Sequence, residues 1–92
     1  MKFNTKELIR TPNGDFLNEN GKNTTMGDVI SNILFGLQKD QATAYRIGMS
    51  ILNSGKDELE LTSEDVVFIK KTLEDVGMSA YIYGQIVTQL EK

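Results

Sequence analysis

The sequence predicts an α+β fold, mainly α, in which an N-terminal β-hairpin over residues 1–24 packs on about four short helices spread over residues 25–92. The first 24 residues show no helical period and are broken by turn formers, whereas from Thr25 onward apolar residues recur at three- and four-residue steps. Capping residues and glycines punctuate that second part at short intervals. A length of 92 residues leaves room for one hydrophobic core only, so the chain is a single domain from 1 to 92.

Each element has a local cause. Pro12-Asn13-Gly14-Asp15 lies between Leu8-Ile9 and Phe16-Leu17; Pro12 presets φ and Gly14 tolerates positive φ, which predicts a hairpin loop there. Asn18-Glu19-Asn20-Gly21 predicts a second turn that returns the chain toward the helices. A first helix is predicted from Thr25 as N-cap, Asp28 at its third position and the stripe Met26, Val29, Ile30, Ile33, Leu34, Leu37. Asp40 is expected to cap a second helix that buries Ala44, Ile47, Gly48, Ile51 and Leu52 and stops at Gly55, with Gly48 marking a close crossing. Leu59 and Leu61 alternate with Glu58 and Glu60 as a short extended stretch. Thr62-Ser63-Glu64-Asp65 then reads as a capping box opening a third helix with Val66, Ile69, Leu73 and Val76 inward. Gly77 ends that helix, and Ser79 is placed to cap a fourth carrying Ile82, Ile86 and Leu90.

Composition excludes much chemistry. The chain has no His, Cys or Trp, which removes imidazole bases, thiol nucleophiles, Cys/His zinc sites and haem ligation by His or Cys. Thirteen acidic against ten basic residues give a net charge of −3, so the global field disfavours direct nucleic-acid or acidic-membrane binding. No stretch approaches the roughly 18 consecutive apolar residues of a bilayer span. The N-terminal residues lack the apolar core of a signal peptide. A cytoplasmic protein without a cofactor is the expectation.

The motifs that carry chemistry elsewhere are weak here. Asp57, Glu58, Glu60, Glu64 and Asp65 form an acidic patch that could attract a divalent cation, although carboxylates at a helix N-terminus also complement the macrodipole. No metal site is assigned to them. Counting back from Gly21 puts Phe16 at the first ligand position of a calcium loop, which fails. Gly21-Lys22 and Gly55-Lys56 are followed by Asn23 and Asp57, where a phosphate loop needs Ser or Thr. The serines have no histidine to activate them, so the chain is expected not to be an enzyme.

The informative excess is apolar. Ile33-Leu34-Phe35, Val66-Val67-Phe68-Ile69 and Tyr81-Ile82-Tyr83 are consecutive runs, and one helical face cannot hide adjacent side chains. Either the hairpin covers the helices on a second side, or Phe35, Tyr45, Phe68, Tyr81 and Tyr83 form a surface patch of the kind enriched in protein interfaces. Arg46 beside Tyr45 adds an Arg–Tyr pair, an anchor for partners or for small anions.

The string Thr25-Met26-Gly27-Asp28-Val29-Ile30-Ser31-Asn32, followed by Tyr45-Arg46-Ile47-Gly48 and Leu61-Thr62-Ser63-Glu64-Asp65-Val66, resembles small uncharacterised proteins of tailed bacteriophages and prophages. The resemblance covers most of the chain but rests on helix caps and core positions, and it carries over no catalytic residue. It implies the cytoplasm of a bacterial host and a role in binding. The expected function is a phage-encoded, non-enzymatic interaction protein that binds and modulates a host protein, including a defence protein, as a homo-oligomer. Three alternatives stand beside it. The first is an oligomeric sponge that gathers Tyr45, Arg46 and the Ser79 helix start around a nucleotide phosphate. The second is nucleic-acid mimicry by the acidic patch, and the third is an accessory role in virion assembly.

Overall fold

A computed structural model describes residues 2–19, 21–55 and 58–92; Asn20 of the expected second turn, Lys56 and Asp57 lie outside the described residues. The fold is α+β and mainly α, with elements in the order β1 (Lys2–Phe3), β2 (Asn18–Glu19), β3 (Lys22–Asn23), α1 (Met26–Phe35), α2 (Gln41–Asn53), β4 (Leu59–Glu60), α3 (Ser63–Val76) and α4 (Ala80–Leu90).

The turn after Thr11 forms as the sequence dictates. Gly14 takes φ +93°, the Thr11 N–H donates to the Asp15 carbonyl at 2.7 Å, and Arg10 bridges Phe16 antiparallel. Pairing then goes further than one hairpin. The Leu17 N–H donates to Ile9, the Thr24 N–H to Leu17, and β2 pairs with β3 in the register Asn18↔Asn23 and Glu19↔Lys22, so the segment folds back twice. β1 leaves this meander altogether and pairs antiparallel with β4, as Phe3↔Leu59 and Lys2↔Glu60. Burial supplies the reason, because that register carries Phe3 into the core, where it is 1 % exposed.

The helix starts divide into two kinds. Thr25 and Thr62 are true side-chain caps, each Oγ1 accepting the third residue's N–H at 3.1 Å, from Asp28 and Asp65. Asp40 and Ser79 stand at N-cap positions but make no side-chain cap bond; Asp40 is instead turned left-handed, with φ 53°. Gly77 ends α3 at φ +72°.

The core gathers Phe3, Ile9, Ile30, Ile47, Ile69, Leu73 and Ile86, with α1 and α2 in the closest helix contact. Gly27 lets the start of α1 come down on the N-terminal segment: its N–H donates to the Thr5 carbonyl at 2.9 Å, while buried Thr5 shares a 2.8 Å hydroxyl contact with Ser54. Gln85 of α4 pins the hairpin with two bonds to the Arg10 backbone, at 2.9 and 2.8 Å. Among the described residues no buried side-chain nitrogen or oxygen lacks a partner. No described helix is long and apolar enough to cross a membrane.

Two residues expected inside lie outside. Leu52 is exposed because the buried arc of α2 ends at Ile51 and the next residue is rotated about 100° away from it. Val76 is exposed as the last residue of α3, where the chain turns away at Gly77.

Candidate functional site

α2 is poor in charge, as are α1, which carries only Asp28, and α4, which carries none. In α2 Arg46 is the one charged residue in 13, whereas a chain that is 25 % charged would place about three there. Its inner face packs on α1 through Ala44, Ile47 and Ile51. Its outer face carries Tyr45 and Leu52, 62 % and 60 % exposed, which are seven residues apart and so share one side of the helix.

Gly48 lies between them and explains a third member. A Cβ at Gly48 would sit 2.7 Å from Cε1 of Phe35, so the Phe35 ring occupies the space that a side chain at 48 would fill. Held there, the ring reaches Tyr45 with centroids 6.2 Å apart and planes at 58°, and it still leaves 44 % of Phe35 exposed. Since position 48 is three residues from Tyr45 and four from Leu52, Phe35 fills the gap and the three side chains make one apolar face.

The remaining aromatics lie elsewhere. Phe68, Tyr81 and Tyr83 are half-buried and pack against the core, so they do not join Phe35 and Tyr45 in one exposed patch. Phe68 borders a cavity of about 200 Å³ between α3 and the α1–α2 connection. The Tyr83 hydroxyl donates to Glu74 at 2.7 Å, and that bond to a carboxylate raises the phenol's pKa above its ordinary value.

Arg46 is committed. Its Nη2 lies 2.9 Å from Oδ1 of Asp65, which is buried at the start of α3. The hydrogen bond from Arg46 holds the Asp65 carboxyl below the usual carboxylate range, against the opposing effect of burial, and bonds from Thr62 lower it further. The same bond raises the guanidinium's pKa, so both groups stay charged and neutralise each other. Ser79 lies at the opposite end of α3, roughly 20 Å away along a 14-residue helix, so one chain does not bring the expected phosphate-binding groups together. Of the expected acidic patch, Asp65 faces Arg46, Asp57 is outside the described residues, and Glu58, Glu60 and Glu64 are exposed. No group of three or more acidic side chains among the described residues is arranged to hold a metal ion.

Sequence reasoning missed one feature, an open groove of about 620 Å³ between the β2–β3 hairpin, α1 and the start of α4. Leu17, Val29, Ile33, Met78 and Ile82 floor it, with Asn23, Asn32 and Lys22 at its rim. The signal was the width of the α1 stripe, since Val29 and Ile33 lie beside Met26, Ile30 and Leu34 and need a second cover. The groove's lining sets Glu19 and Asp28 beside Lys22, a mixed set of charges that does not point to one ligand class.

No family model matches the chain, and no curated protein or solved structure is similar to it.

Proposed function

We propose that this chain works by binding, as a phage-encoded, non-enzymatic interaction protein of the bacterial cytoplasm that engages a host protein and itself. The observation that carries the reading is the exposed apolar face that Phe35, at the end of α1, forms with Tyr45 and Leu52 of α2. Interface centres are depleted in charge and enriched in aromatics, which is the composition of this face. The nucleotide-sponge reading has less support, because Arg46 is engaged by Asp65 and the 620 Å³ groove sets Glu19 and Asp28 beside Lys22. A virion-assembly role would use the same apolar face.

The test is a photo-reactive amino acid placed at Tyr45 in the chain expressed in bacterial cells, followed by mass spectrometry of the adducts. Cross-links to a protein, whether the chain itself or another, support the reading. Irradiated chain recovered without protein adducts, at expression levels matching the native chain, overturns it.

A further inference from the structure

Independently of the contact reading, we propose that the cavity of about 200 Å³ at the start of α2 binds free hydrogen phosphate. Lys39, Asp40 and Thr43 line it from the entry and first turn of α2, and Lys71, Thr72 and Asp75 line it from α3. The Thr72 hydroxyl is the decisive group. Thr72 is 7 % exposed, yet its Oγ1 makes no hydrogen bond among the described residues, whereas Ser50 and Thr88 bond back to the carbonyl four residues earlier. Since no buried side-chain oxygen of the described residues lacks a partner, this Oγ1 is not itself sealed in. It opens on the cavity that Thr72 lines and is a donor left for an occupant.

The other groups around the cavity add donors in excess. The Ala44 N–H makes the first bond of α2, to the Asp40 carbonyl, so the N–H groups of Gln41, Ala42 and Thr43 precede the ladder, and no side chain caps them. They form the positive end of the α2 macrodipole. Lys39 and Asp75 lie 3.9 Å apart and offset each other, while Lys71 makes no ion pair among the described residues. Asp40 is the carboxylate of the lining that is left over. It stands left-handed at φ 53°, and its side chain makes no cap bond.

A tetrahedral oxyanion satisfies the donors, and Asp40 selects among oxyanions. Its carboxylate repels a fully ionised ion such as sulfate but accepts from a P–OH, and inorganic phosphate keeps at least one P–OH at neutral pH. A phosphomonoester has a second pKa of about 6 and has lost most of that proton there, so it offers Asp40 no such donor. The cavity is also smaller than the roughly 300–1,000 Å³ of pockets that enclose drug-sized ligands, which suits a small ion.

Nitrogen-15 HSQC titration at neutral pH and constant ionic strength reads the Gln41, Ala42 and Thr43 amides, with inorganic phosphate, sulfate and methyl phosphate as probes. Phosphate should move these amides saturably at millimolar concentration, at least about tenfold more tightly than the other two probes. Thr72→Val keeps the side-chain shape, removes the hydroxyl and should weaken phosphate binding at least about tenfold, because a hydrogen bond to a charged group is lost. Asp40→Asn suits the left-handed backbone and replaces the repelling carboxylate with an amide, so sulfate should then bind about as tightly as phosphate. Circular dichroism checks that both variants are folded.

A native chain whose amides show no saturable shift with tens of millimolar phosphate overturns the inference. So does a native chain that takes sulfate or methyl phosphate as tightly as phosphate, or a folded Thr72→Val chain that binds phosphate like the native one. An Asp40→Asn chain that still excludes sulfate also overturns it, and that comparison decides alone if Thr72→Val does not fold.

Discussion

Gly27→Ala should destabilise the fold, and the size of the effect follows from three distances. A Cβ at position 27 would lie 2.7 Å from the Thr5 carbonyl oxygen, 2.9 Å from the Thr5 Cβ and 3.2 Å from the Ile51 Cγ2. Thr5 cannot yield easily, because it is 2 % exposed and is held by the Gly27 N–H at 2.9 Å and the Ser54 hydroxyl at 2.8 Å. Overpacking of this kind costs about 1–3 kcal/mol. Alanine's higher helix propensity offsets up to about 1 kcal/mol of that, and less in a first turn, so the net loss should be about 1–2 kcal/mol. For a domain of this size that lowers Tm by about 5–15 °C, measured by far-UV circular dichroism. Gly84→Ala is the internal contrast: it sits within α4, where a Cβ meets nothing within 4 Å, and should gain about 0.5–1 kcal/mol. A Gly27→Ala chain that melts at or above the native temperature would refute the close approach of α1 to the N-terminal segment.

Other perturbations read other parts of the fold. Thr62→Ala removes the cap that accepts the Asp65 N–H and should destabilise by about 1 kcal/mol in urea titration, with no gain from the better helix former. Because Asp65 has a lowered pKa in the fold, it contributes stability above its unfolded value near pH 4, and that contribution is lost as pH falls through the folded value. Arg46→Met should therefore raise the Asp65 carboxyl pKa, read by carbon-13 NMR, and flatten the loss of stability as pH falls below the unfolded value; an unmoved Asp65 titration would contradict the pairing. Gly48→Ala should drive the exposed Phe35 ring off α2 and disturb its contact with Tyr45. Helix propensity compensates part of the lost packing, so stability should change little while self-association weakens.

What could be read from the sequence was what a single residue or a short period decides. The caps at Thr25 and Thr62 and the left-handed stop at Gly77 need only local chemistry, while Gly48, expected to mark a close helix crossing, instead makes room for the Phe35 ring. The β1–β4 pairing was not legible, because two-residue strands have no alternation to detect and their partners are far apart in the chain. Nor was the fate of Arg46, whose partner lies 19 residues away on another helix, so that an apparent free anchor and an apparent acidic-patch member turn out to satisfy each other. The apolar runs announced that one face could not hide them, but not which neighbour would cover each. Phe68, Tyr81 and Tyr83 pack partly buried against the core, whereas Phe35, Tyr45 and Leu52 are left outside, Leu52 against its expected place in the core.

The apolar face of α2 is tested most directly by an isotope-filtered NOE spectrum on an equal mixture of carbon-13-labelled and unlabelled chains. Seven residues along a helix separate Tyr45 from Leu52 by about 10 Å, too far for a contact within one chain. Filtered cross-peaks from the Phe35, Tyr45 or Leu52 side chains to the other chain are the predicted result of self-contact through this face; a spectrum at millimolar concentration whose intermolecular peaks arise only from other residues would contradict it.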